Sequence, residues 1–235
     1  HPVAAPRAQP ALVATEVALA IVVLSSTGLM LRTILNLRAD PGFRARNILT
    51  ADVEPNAAEH PTAEHRNVFY SEVLDRVTAL PGVVSAGFTT VLPTSPFGGA
   101  APLRVQGRPE RQDGSDIALI RIVTSGYLRT LGVPLISGRH FSDRDTGSPR
   151  VAIVSERVRA LLGEDPLGQR VTFSDSDDEG AWMTVVGVVG DVATGNIGAP
   201  DTRGTVYMPV TQVRAIDLFS PRTLAIRTES NPLEL

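Results

Sequence analysis

The sequence predicts an α+β protein with one membrane-spanning helix near its N-terminal end, and three observations predict it. Residues 11–31 form a predominantly apolar run with a single charge. Residues 48–91 pass from a strand pattern to a helical period and back to a strand. Beyond residue 102, short β-branched runs alternate with turn signals, and only two brief helical stretches interrupt them.

Residues 1–10 hold three prolines and read as a linker. The run 11–31, ALVATEVALAIVVLSSTGLML, would be about 30 Å long as a helix, close to the hydrocarbon thickness of a bilayer. Its helical pattern continues, so the predicted span and its extension cover 11–37. Arg7 precedes it while Arg32 and Arg38 follow, so flanking charge does not set its orientation. Glu16, the one charge, lies near an edge, where a carboxylate can reach the interface or face another helix. Ser25, Ser26, Thr27 and Gly28 form a small-residue patch of the kind that lets membrane helices approach. Three other readings compete. A signal peptide would have a shorter apolar core and a cleavage site after it, where Arg32-Thr33-Ile34-Leu35 instead continues the helix. A buried helix of a soluble protein and a lone anchor for an exported domain stay open.

After the helix, Asp40-Pro41-Gly42-Phe43 is a turn signal and residues 48–53 a strand. His60-Pro61-Thr62 opens a helix with Phe69, Val73, Val77 and Leu80 at helical spacing, stopped by Pro81-Gly82. Residues 83–91 are a second strand, completing a β-α-β unit. Residues 92–101, rich in Pro, Gly and Ser, read as an exposed loop. Strands are expected at 103–105, 117–123, 151–154, 183–189, 206–208 and 224–227, and Val133-Pro134-Leu135-Ile136 leads into Ser137-Gly138-Arg139. Short helices are expected at 125–131, capped by Gly132, and from a Ser155 cap to Leu162, ending at Gly163. No repeat recurs at a fixed period.

Composition excludes several chemistries. The chain of 235 residues, with formal charge −3, shows no basic stripe for nucleic acid. It has no cysteine, hence no disulfide, thiolate site or thiol nucleophile. All 22 basic residues are arginine, so no P-loop lysine and no Schiff-base lysine exists. An ATP-driven machine containing this chain would need its motor elsewhere. The first residue is not methionine, and the last residues, Asn231-Pro232-Leu233-Glu234-Leu235, suit a helix start, so the chain reads as a fragment.

Each candidate for chemistry has a plainer structural account. Gly187-Val188-Val189-Gly190-Asp191 follows a strand but lacks the G-x-G-x-x-G spacing, and Asp191 would repel phosphate; it reads as a turn. Asp175-Ser176-Asp177-Asp178-Glu179-Gly180 resembles the start of a calcium loop, yet position twelve is Val186 rather than glutamate; it reads as an acidic hairpin tip. His60, His65 and His140 are too scattered for zinc. Arg139, Asp143 and Asp145 beside His140 read as a surface turn rather than an acid–base pair. Trp182 reads as packing. The expectation is therefore no catalytic residue, no cofactor-binding residue and no metal ligand: not an enzyme, and no cofactor.

The order of motifs resembles the MacB/FtsX-type ABC permeases, specifically the duplicated orphan permeases common in acidobacteria. The resemblance runs from Leu12-Val13-Ala14-Thr15-Glu16 and Gly28-Leu29-Met30-Leu31-Arg32 through Asp40-Pro41-Gly42-Phe43, Asn47-Ile48-Leu49-Thr50 and Leu80-Pro81-Gly82-Val83. It continues in Ser125-Gly126-Tyr127-Leu128, Leu131-Gly132-Val133-Pro134-Leu135, Gly138-Arg139-His140-Phe141 and Val151-Ala152-Ile153-Val154-Ser155-Glu156. Gly163-Glu164-Asp165-Pro166-Leu167-Gly168 and residues 185–192 complete it. Each piece alone is weak; their order over some 200 residues is specific. The resemblance implies an inner-membrane helix followed by a two-lobed periplasmic core. Residues 47–93 would be the first half of a porter-like lobe, 94–215 an inserted smaller α/β lobe, and 216–235 the start of the second porter half. It implies a permease subunit of an export or mechanotransmission system, with inner-membrane lipid, a separate ABC ATPase and a second permease copy or half as partners. The alternative is a membrane-anchored periplasmic binding or scaffold module without a transport role.

Overall fold

The computed structural model describes residues 8–36, 41–56, 58–93, 95, 98–109, 116–147, 149–176, 178–196, 199–213 and 220–232. The chain divides into two compact units, residues 1–40 and 41–235.

The first unit is one helix, α1 (Ala8–Asn36). It starts three residues earlier than the apolar run, because Pro10 falls in the first turn, where a helix has no use for its missing N–H. The stretch Leu12–Arg32 has a mean hydropathy of 1.9 and is nowhere buried, with Leu24 72% exposed. Thr27 returns its hydroxyl to the Val23 carbonyl, so the small-residue patch carries no unsatisfied Thr27 group.

The second unit begins with β1 (Ile48–Asp52), α2 (Ala63–Thr78) and β2 (Val83–Thr89). Thr62 caps α2, its hydroxyl accepting from the His65 N–H, and the helix stops before Pro81-Gly82. Phe69, Val73 and Val77 form a half-buried stripe packed against the core as the spacing predicts, but Leu80 lies past the helix end and is exposed. The chain then forms β3 (Ala100–Pro102), β4 (Arg104–Val105), β5 (Ile117–Val123), α3 (Tyr127–Leu131), β6 (Leu135–Gly138), β7 (Val151–Ser155) and α4 (Glu156–Leu162). It closes with β8 (Arg170–Thr172), β9 (Met183–Val189), β10 (Thr194–Asn196), β11 (Ala199–Asp201), β12 (Thr205–Pro209) and β13 (Thr223–Thr228).

One sheet of 11 strands runs β1-β13-β2-β5-β12-β7-β9-β8-β4, with β3 on β5 and β6 on β9; β10 and β11 form a separate hairpin. β5–β12 and β7–β9 are parallel, and the other pairs are antiparallel. The mainly apolar strands β7 and β12 are buried from end to end, as strands covered on both faces must be, and their polar ends Ser155 and Thr205 bond each other.

Three apolar clusters fill the unit. α2 lays Tyr70 against Ala86, Phe88 and Leu224, with the Tyr70 and Phe88 rings 5.0 Å apart. α3 packs Tyr127, Leu128 and Leu131 beside Phe141, Ile153 and Val189. α4 sets Val158 and Leu162 against Val154, Val185 and Val206. Gly87 permits the second of these, since a Cβ there would lie 2.5 Å from the Tyr127 Cα.

Four short strands depart from the expectation. β3 lies within residues read as loop, and β8, β10 and β11 fall where the sequence carries no strand pattern. Each has three residues, and β3 and β11 contain Pro102 and Pro200; pairing with a partner, not propensity, makes them strands.

Candidate functional site

Between β2 and β13 the chain builds the rest of the sheet, β3 to β9 and β12, and it returns at β13, which lies between β1 and β2. Where the two parts meet, β2 and β5 share the one register pair Thr89↔Val123. Threonines reinforce this seam. Thr124 N–H donates to the Phe88 carbonyl at 3.1 Å, and its hydroxyl accepts from the Phe88 N–H at 2.9 Å. Thr90 does the same with Ile122, at 3.0 and 3.3 Å. β-Branched hydroxyls at both ends replace the ladder that the strands lack.

A groove of about 230 Å³ opens along this seam, between α2 (Tyr70, Leu74), the start of α3 (Thr124, Ser125) and the Asp143 loop. Tyr70 donates its hydroxyl to the Pro221 carbonyl at 2.9 Å, and burial pushes that phenol up to about 12. Ser125 donates to Asp143 at 2.6 Å, and no hydrogen bond from a histidine to that serine is found among the described residues. Arg121, Tyr127 and Tyr207 are buried elsewhere than in the groove lining. Burial lowers the Arg121 guanidinium and raises Tyr207 to about 12 and Tyr127 further still, so both phenols remain protonated at neutral pH. Sequence reasoning passes over Arg121; its signal is a lone charge in the apolar strand IALIRIV.

The residues singled out in the sequence are dispersed. Arg139 and Asp145 form a two-pronged ion pair, at 2.7 and 2.8 Å, and Asp145 also accepts from Ser142 N–H at 2.8 Å. Asp145 is only 9% exposed and its carbonyl takes the Thr211 hydroxyl, so the expected surface turn is instead an anchored one. Asp143 turns away to Ser125. His140 bonds neither acid in any described contact; its Nδ1 is buried without a hydrogen-bond partner, and burial followed by the Arg129 charge holds its pKa down. His65 joins the cap of α2 through Thr62 Oγ1, while His60 rests on the Phe69 ring at 4.9 Å.

Gly187 is required by a close approach: a Cβ there would lie 2.3 Å from the Arg139 carbonyl. Asp191 has a role that the sequence does not reveal. Its Oδ1 accepts from the Arg157 N–H at 3.0 Å, so it caps α4 from across the fold, and its carboxylate also faces the Arg157 guanidinium at 3.6 Å. Ser155 stands at the cap position, but its hydroxyl accepts from Thr205 N–H instead. The acidic stretch does connect β8 to β9 as a hairpin tip; Glu179 pairs with Arg170 at 2.7 Å, and Asp177 lies outside the described residues. Trp182 is buried beneath the Arg104 guanidinium, 5.7 Å from its ring centre. Among the described residues no three His, Asp or Glu side chains gather where they could hold a metal.

An apolar helix of bilayer length in one chain with a mixed-sheet α+β head defines the class: helix-led α+β domains. Residues 11–231 match the MacB-like periplasmic core domain, and the chain belongs to that family. It is a domain of ABC-type permeases of the MacB/FtsX type, which is not a known enzyme class. The fold is similar to the periplasmic region of MacB from Actinobacillus actinomycetemcomitans, with 16% identity over 85% of this chain and 83% of that one and a TM-score of 0.51. Similarity extends to the extracellular domain of the noncanonical ABC-type transporter YknZ from Gram-positive bacteria (16% identity, 78% and 84% covered, TM-score 0.49). A permease-protein domain from Porphyromonas gingivalis also matches (18% identity, 82% and 81% covered, TM-score 0.48). A comparison with curated proteins finds no match.

Proposed function

We propose that the chain is the membrane-anchored periplasmic part of an ABC-type permease subunit serving export or mechanotransmission. α1 crosses the inner membrane, and the bulk of the chain lies in the periplasm. A separate ATPase supplies the energy, a second permease copy or half completes the unit, and the head relays movement without catalysing a reaction. The observation that carries this reading is an exposed, 21-residue apolar span joined in one chain to a MacB-like core domain. The absence of lysine places any P-loop of the machine outside these 235 residues. Relay requires packed bodies joined at a narrow seam rather than a nucleophile, and the pair Thr89↔Val123 is such a seam. We divide the chain accordingly into a linker (1–10), a membrane helix with extension (11–37), a first porter half (47–93), an inserted lobe (94–215) and the start of the second half (216–235).

The test is membrane fractionation followed by affinity purification from the native bacterium. The expected result is a chain that resists carbonate and salt, needs detergent for release, and brings down an ABC ATPase. Release by carbonate alone would defeat the reading. Membrane retention with no ATPase under conditions that preserve other permease complexes would favour the anchored binding or scaffold module.

A further inference from the structure

Residues 41–47, between the membrane helix and β1, are bonded along their length. The Pro41 carbonyl accepts from Ala193 N–H at 2.9 Å, and Arg44 N–H donates to the Leu131 carbonyl at 2.8 Å. Phe43 packs into the cluster built on Tyr127, Leu131 and Val192. Asn47 is the one non-glycine residue with positive φ (59°) among the described residues. Its carbonyl accepts from Thr228 N–H at 3.0 Å, and its side-chain amide donates to the Glu229 carbonyl at 3.1 Å.

Arg227 of β13 closes this arrangement. Its Nε donates to the Thr130 carbonyl at 2.7 Å, one terminal nitrogen to Arg44 at 2.8 Å and the other to Arg46 at 3.1 Å. One planar guanidinium thus holds three main-chain carbonyls from two segments, a geometry that the point charge of a lysine cannot reproduce. The segment therefore reaches β13 on one side of the seam, the turn after β9 on the other, and α3, which packs on both β2 and β13.

We infer that residues 41–47 are a strap locking the β1–β13–β2 part of the head to the β5–β9 part, with Arg227 as the positioning residue that latches it. Only residues 37–40 separate α1 from this strap in sequence, so a displacement of α1 carried along the chain reaches the strap first. That role in relay rests on the permease reading; the lock itself does not.

Hydrogen exchange on the detergent-solubilised chain tests it, comparing peptides over 41–47 and 193–196 with one over 151–155 in β7. Both Arg227→Met and Arg227→Lys should speed exchange of the strap and of Ala193 at least tenfold and leave β7 unchanged. Uniform acceleration would make Arg227 a general support of the fold, and no acceleration would make the contacts incidental; either overturns the proposal. If Arg227→Met does not fold, Arg227→Lys decides alone, because it keeps the charge and stem but not the fork. A loosened strap in a chain that carbonate extracts would sink the permease reading and leave the lock. An unaffected strap in a chain that needs detergent would do the reverse.

Discussion

Asp145 keeps its negative charge in acid where an exposed aspartate would already be taking up protons, because the Arg139 fork and the Ser142 N–H both bond the ionised form. Its folded pKa is depressed, so the stability it contributes is complete above the ordinary carboxylate value near 4 and is lost as pH falls through the lower folded value. Asp145→Asn should cost about 1–3 kcal/mol at pH 7. Thermal melts in detergent should show the gap between wild type and variant closing below about pH 4; a gap that stays constant from pH 7 to pH 3 would remove the ion pair from the explanation. At this scale the sequence was a partial guide. Gly132, placed as a helix cap, has φ +67°, and Trp182 packs as expected. The cluster at 139–145 was visible as charges but not as an anchored turn with Asp145 buried, because its anchor includes Thr211, 66 residues away.

Among the elements, α4 shows how a local signal can name the right boundary for the wrong reason. Ser155 precedes the helix as the cap pattern requires, yet the N–H that needs an acceptor is met by Asp191 from the turn after β9. Asp191→Ala should therefore destabilise the head by about 1–2 kcal/mol, the loss expected for a helix cap. Ser155→Ala should act instead by stranding the Thr205 N–H, so exchange at Thr205 should rise in that variant and not in the first. Equal exchange at Thr205 in both variants would contradict this division of roles. Long strands with β-branched runs, such as β5, β7 and β9, stand at the residues predicted for them, since their own composition selects extended, doubly covered backbone. β3, β8, β10 and β11 were not legible, because three residues carry too little period to register and their partners are distant in the chain.

For the whole molecule, the exposed apolar surface of α1 sets the strongest demand. Eleven large apolar side chains of this one helix are exposed, a surface of the kind a bilayer would cover. Val22→Arg, near the middle of Leu12–Arg32, should weaken insertion by roughly 2.5–3.5 kcal/mol on insertion scales. The variant should shift from the carbonate-resistant pellet toward the soluble or degraded fraction, while exchange protection in β7 of the head stays as in wild type. Loss of head protection together with insertion would mean that α1 serves as a core helix.

What the residues alone determined is whatever depends on short-range pattern: an apolar span of bilayer length, the alternation that makes an α+β head, the capped ends of its helices, and a family likeness carried by ordered motifs. Those signals survive in one dimension because periodicity, missing donors and positive φ act on neighbours in the chain. Tertiary structure alone decided the rest: the Thr89↔Val123 seam, the Asp191 cap, the burial of Asp145 beneath Arg139 and the Arg227 latch. Each joins residues far apart in sequence, and a polar group declares its partner only when burial has removed water as the alternative.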